Sequence, residues 1–150
     1  MSEGSGIPRV EVAVVLLMHD GRVLTPYNRK WGAFTLPMTK RRHWEDPNVQ
    51  GGELAEAWDH AAYRAAGECL GRTLIETLEP VGEEEEVRFR QSDRNGKFKF
   101  YIFHVYRLAF DAPPALAPGV PADWLTREEI LDEQRHPISK TARELIRLLP

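Results

Sequence analysis

Residues 53–71 read ELAEAWDHAAYRAAGECLG, and the fold turns on how this stretch is understood. Leu54, Trp58, Ala61, Ala62, Ala65 and Cys69 recur at helical spacing, which predicts one amphipathic helix over residues 53–70. Gly71 is placed to end it in a left-handed conformation. The polar side of the same stretch carries Glu56, His60, Arg64 and Glu68, each four residues from the next. Taken alone, Glu68 reads as a solvated carboxylate paired with Arg64, a contact worth a few tenths of a kcal/mol. His60 reads as a structural surface residue, and Cys69, on the apolar stripe, as a small core residue.

Working outward, RVEVAVVLLM at residues 9–18 is rich in Val and Leu and predicts a buried strand. Asp20 and Gly21 supply a hairpin turn, and VLTPY brings the chain back, with Pro26 marking an edge or a strand end. Residues 31–52 are irregular and loop-like, including LPMTKRRHWEDPNVQGG, a loop long enough to suggest function. Residues 40–50 are expected to be mobile or to cover a cleft. Downstream come TLIETLEPV, EVRFRQ, the turn DRNG and the strand KFKFYIFHVYRLAF. Phe98, Phe100, Ile102, His104, Tyr106 and Leu108 alternate to one side of that strand, which makes His104 a core or pocket histidine. A proline-rich loop, DAPPALAPGVP, leads to Trp124. Thr126 and Glu129 form a capping box for a short helix, and residues 139–149 form an amphipathic one. Strands interleaved with helices, together with two antiparallel hairpins, predict an α+β fold in which helices cover a mixed sheet.

Composition bounds the function. At 150 residues the chain suits a single domain with its core over about residues 9–149, able to bury roughly 70% of its unfolded surface. A net charge of −3 gives no general attraction to nucleic acid or anionic membrane. The longest apolar run, residues 12–18, is far short of the roughly 20 residues of a membrane span. One cysteine excludes an internal disulfide and fits a reducing compartment. With no secretory pattern in MSEGSGIPR, a cytoplasmic protein is expected.

In order and spacing these segments, from about Val10 to Leu149, resemble the Nudix hydrolase superfamily, which cleaves nucleoside diphosphates linked to another moiety. Its central motif is G-x5-E-x7-R-E-U-x-E-E-x-G-U, with U a bulky apolar residue. Glu56, seven intervening residues, Arg64, Glu68 and Gly71 fall on its positions. WGAFTLPMTK is similar to the family's lead-in, with Met38 and Thr39 standing where two glycines belong. VEVAVVLLMHDGRVLTP is similar to its first hairpin, and ADWLTREEI to a late strand-to-helix segment. The resemblance implies a mixed β-sheet sandwiched between α-helices and a substrate class of nucleoside-diphosphate-linked compounds. It also implies that Glu56, Arg64 and Gly71 build the motif's architecture, with Glu56 and Arg64 holding the loop against the helix.

The departures bear on activity. The motif's first glycine would fall on Gln50, and its three grouped acids on Ala65, Glu68 and Cys69. Positions one, four and five after an arginine share a helical face, so three carboxylates there converge on hard divalent cations. Such cations bridge phosphate oxygens and activate water. Here Glu68 alone offers a hard oxygen, which makes it the candidate catalytic residue and metal ligand, with Glu56 a weak second ligand. A thiol favours zinc or copper over magnesium. Lys40, Arg41 and Arg42 follow the Leu36-Pro37 lead-in, where basic side chains could neutralise a pyrophosphate without metal. Glu83, Glu84, Glu85 and Glu86 form either a solvated run or a source of further metal ligands. Trp31, Trp44 and Trp124 either pack or stack on a base.

Two function classes follow. The first is a Nudix hydrolase using Mg2+ or Mn2+, with ligands from Glu68, Glu56 and the run 83–86. The second is a non-catalytic module that needs no cofactor and binds a nucleotide-like or other phosphorylated small molecule, or a protein partner. Many relatives pair through sheet edges or helices, so a homodimer is compatible with either.

Overall fold

The computed structural model describes residues 9–45, 47, 48, 52–81, 86–91, 98–134 and 137–148. Its centre is strand β1 (Arg9–His19), whose residues 12–17 are all buried, as the unbroken apolar run requires. Asp20 and Gly21, both at positive φ (53° and 73°), turn the chain into β2 (Arg22–Asn28). β1 pairs with β2 only at Met18 and His19, and then takes β4 (Met38–Lys40) as its antiparallel neighbour from Val12 to Val14. Its other edge runs parallel to β9 (Phe98–Ala109) for ten residue pairs, Arg9 opposite Phe100 through Met18 opposite Ala109.

Short strands complete the sheet. β3 (Ala33–Phe34) pairs with β2 and β10 (Ala122–Leu125) with β2 on its far side, while β7 (Glu79–Pro80) and β8 (Glu86–Gln91) both pair with β9. Among the described residues eight strands form this sheet, with the order β10-β2-β1-β9-β7 along its spine.

Alternation along β1 and β9 divides the core in two. Ala13, Val15, Leu17 and Tyr106 face helix α1 (Trp58–Leu70), which presents Ala61, Ala62, Ala65, Ala66 and Leu70. Four alanines on one stripe leave no bulk between helix and sheet. Val12, Val14, Leu16, Phe103 and Val105 face Ile130 of α2 (Arg127–Leu131) and Ala142, Leu145 and Ile146 of α3 (Lys140–Leu148). The mixed sheet is therefore sandwiched between helices, as expected. Thr126 accepts from the Glu129 backbone N–H and Glu129 accepts from that of Thr126, the predicted capping box. No described helix is long and apolar enough to cross a membrane.

The structure corrects three expectations. The helix begins at Trp58, not at residue 53: Glu53–Ala55 form β6, paired with β5 (His43–Glu45) in a separate two-stranded hairpin. The stretch 31–52 is not a plain loop, because it contributes β3, β4 and β5. Pro26 does not end its own strand or lie on an edge: it sits within β2, two residues before Asn28, opposite Ala122, the first residue of β10. Its carbonyl accepts from the Thr35 N–H at 2.9 Å, just ahead of the β2–β3 pairing.

Candidate functional site

The site grows from the segment that enters α1. Glu56 precedes the helix, is 4% exposed, and receives four hydrogen bonds. Oε1 accepts from Arg64 Nη2 at 2.8 Å and from the Arg42 backbone N–H at 3.0 Å. Oε2 accepts from Arg64 Nε at 3.1 Å and lies 2.6 Å from His60 Nδ1. Those four contacts use the lone-pair directions of a carboxylate. The Arg64 guanidinium beside it, outweighing burial, lowers the Glu56 carboxyl to about 2. Arg64 also donates to Thr39 Oγ1 at 2.8 Å and to the Lys40 carbonyl at 2.9 Å. One buried ion pair thus fastens β4, the chain after it and the helix entrance to one another. Thr39, where the resembled lead-in has glycine, supplies one of the fastenings.

The helix face that would carry metal ligands does not present a set of donors. Ala65 is buried among Ala13, Val15 and Leu17 on the sheet. Cys69 packs against the same cluster, and its burial, with the Glu68 charge adding, pushes the thiol up to about 11. It stays protonated at neutral pH, so it offers neither thiolate nor hard oxygen. Glu68 is exposed. Among the described residues no group of three His, Cys, Asp or Glu could hold a metal ion. The described residues of this helix face do not make up the three-carboxylate set that the motif implies for magnesium or manganese. Gly71, with φ 68°, closes the helix by donating to the Gly67 carbonyl at 2.8 Å, and the 111–121 loop crosses beside it, where Ala117 donates to the Cys69 carbonyl at 2.8 Å.

The basic cluster splits. Lys40 and Arg42 are exposed, whereas Arg41 turns inward. Its guanidinium lies 5.1 Å from the Trp58 ring centre, donates to both Glu11 oxygens at 3.3 Å, and reaches the Glu56 carbonyl through Nε. Trp58 stacks with its other partner, His104, at 3.7 Å between ring centres and 12° between planes. His104 was expected in the core or a pocket, and the stack gives that place a definite neighbour. Trp124 meets His19 edge-on at 6.2 Å, while Trp44 on β5 is 49% exposed.

Sequence reasoning missed Trp58, Thr39 and Glu11 as parts of this assembly. Their periodicities are ordinary, and only tertiary packing of β1, β4 and α1 brings them together. The acids 83–85, the DRNG turn, Gln50 and Gly51 lie outside the described residues; of Glu86 the strand position alone is described.

No protein-family model and no curated protein sequence matches the chain. Solved structures do. The MutT NUDIX hydrolase of Burkholderia pseudomallei is 18% identical, with 95% of this chain and 98% of that one covered and a TM-score of 0.61. The NUDIX domain of Shewanella oneidensis NrtR, solved with ADP ribose, is 16% identical over 95% and 85% of the two chains, with a TM-score of 0.57. The C-terminal domain of mouse MUTYH, solved in complex with human PCNA, is 19% identical over 92% and 85%, with a TM-score of 0.59. Likeness at these identities establishes a shared architecture.

Proposed function

Starting from the Nudix fold, we propose that this chain is a Nudix-superfamily protein that binds a nucleoside-diphosphate-like ligand and hydrolyses it slowly or not at all. The observation that carries the reading is the donor count around α1. Ala65 and Cys69 are packed on the sheet, Glu56 is committed to Arg64, His60 and Arg42, and Glu68 is left as a lone exposed carboxylate. Glu68 alone would give a divalent cation one carboxylate, too few ligands to hold it where it could activate an attacking water. In this reading Glu56, Arg64 and Gly71 shape the site, while Lys40 and Arg42 meet the ligand phosphates; Arg41 acts by positioning Trp58 and Glu11. The ADP ribose in the Shewanella domain and the protein partner of the mouse domain support binding as a use of this fold.

A second reading keeps hydrolysis. β8, which begins at Glu86, pairs with β9, the strand whose His104 stacks on Trp58 of α1. Acids of the run 83–86 would then supply the missing ligands for Mg2+ or Mn2+.

One experiment separates the two. Nucleoside diphosphate compounds are screened for pyrophosphohydrolysis with Mg2+ and Mn2+, alongside thermal-shift measurements on the same compounds. The expected outcome is stabilisation without turnover, by about 2.7 kcal/mol at a ligand concentration a hundred times Kd. Efficient metal-dependent turnover, abolished by Glu68→Gln or by neutralising residues 83–86, would establish the hydrolase instead. Neither turnover nor stabilisation with any compound would overturn both readings of the ligand.

A further inference from the structure

The β5–β6 hairpin meets the body of the sheet at His43. Nε2 lies 2.6 Å from Glu11 Oε1 on β1, and Nδ1 lies 3.2 Å from Glu53 Oε1 on β6. A neutral imidazole carries a proton on one nitrogen, an imidazolium on both, and an ionised carboxylate only accepts. The protonated ring alone can therefore donate to both partners at once. We infer that His43 is a proton-operated latch that fastens the β5–β6 hairpin to β1 and lets it loosen as pH rises. When the ring loses its proton, one nitrogen turns a lone pair toward a carboxylate oxygen and that contact becomes repulsive.

The surrounding charges set where the loss is felt. Arg41 donates to both Glu11 oxygens at 3.3 Å and keeps that carboxylate engaged in either state of His43. Glu45 stands across the hairpin from Glu53, and Arg9 lies two residues along β1 from Glu11 on the same face. Glu11 thus has a second cation, whereas the Glu45 and Glu53 pair on the hairpin has His43. Deprotonation leaves those two acids opposed and frees β5 and β6. The effect reaches further inward, because Arg42, adjoining β5, both donates its N–H to Glu56 Oε1 and accepts from the Glu56 N–H at 2.8 Å. The order of the segment bordering α1 would follow pH, whether the site binds or hydrolyses its ligand.

The test is amide hydrogen exchange of the full chain from about pH 6 to about pH 8.5, across the range in which imidazoles titrate. Protection factors, which remove the intrinsic base catalysis of exchange, are read for residues 43–45 and 53–56. In the wild type they are expected to fall roughly threefold as pH rises, a contact of this exposure being worth little more, and to fall further at low salt. His43→Gln, which cannot gain a second donor by protonation, should give a flat profile while α1 amides stay protected. His60→Gln serves as the control for the histidine that contacts Glu56 and should keep the wild-type slope. A flat wild-type profile overturns the latch. So does an unchanged slope in His43→Gln, or a slope removed by His60→Gln instead.

Discussion

Glu56 and Arg64 are eight residues apart, and on one continuous helix that spacing would separate their backbones by roughly 12 Å. They meet at 2.8 Å because Glu56 sits ahead of the helix and turns back over its first turns. Their identity as a pair was legible through the motif, but the helical periodicity that predicted residues 53–70 could not supply the geometry. Leu54 satisfies the apolar spacing equally well as a strand residue opposite Trp44. Glu56→Gln at neutral pH is expected to cost about 3 kcal/mol, since Arg64 would keep its charge in a half-buried place without its counter-ion. The pair also predicts an acid limb. A carboxyl lowered from 4.5 to about 2 contributes stability that is complete above pH 4.5 and lost as pH falls toward about 2. Thermal unfolding of the two proteins should therefore converge over that window. Parallel curves from neutral pH to about pH 2 would remove Arg64 as the cause.

Helix α1 shows how an element can be anticipated in kind and misjudged in extent. Its apolar stripe and its stop at Gly71 were both readable, whereas its start was not, because Ala57 caps it without a side-chain hydrogen bond. The β5–β6 hairpin was hidden for a related reason: neither strand exceeds three residues, and only one of their three facing pairs, Trp44 with Leu54, is wholly apolar. At the other end of α1, Gly71 meets two demands. It holds φ at 68°, and a Cβ there would stand 3.0 Å from the Ala117 Cα. Gly71→Ala is expected to cost about 1–3 kcal/mol from backbone strain, with the crowding of Ala117 adding to it. The accompanying sign is faster amide exchange at Ala117, whose N–H caps the Cys69 carbonyl. Lost stability with Ala117 protection unchanged would assign the cost to φ alone.

At the scale of the molecule, the alternation of β1 and β9 and the amphipathic helices made a helix-covered mixed sheet legible. The pairing order was not, because parallel partners are joined by no local turn. Nothing near residues 9–18 announces that their neighbour is residues 100–109, yet ten residue pairs join them. The distance is fixed at its far end too, where the His19 ring and the Phe110 carbonyl lie 3.0 Å apart across 91 residues of chain. This central seam has a consequence for biosynthesis. As the polypeptide leaves the ribosome, the strand with the greatest apolar content emerges early and must wait for its parallel neighbour. Contacts of such sequence separation carry a large loop-closure cost and are intrinsically slow to form. Until residue 109 is free, the edge of β1 that will pair with β9 has no strand of its own to bond to. A fragment comprising residues 1–97, which contains α1 and its motif complete, is accordingly expected to show no cooperative unfolding by circular dichroism. It should gain that transition only when residues 98–150 are supplied, in the same chain or as a second piece.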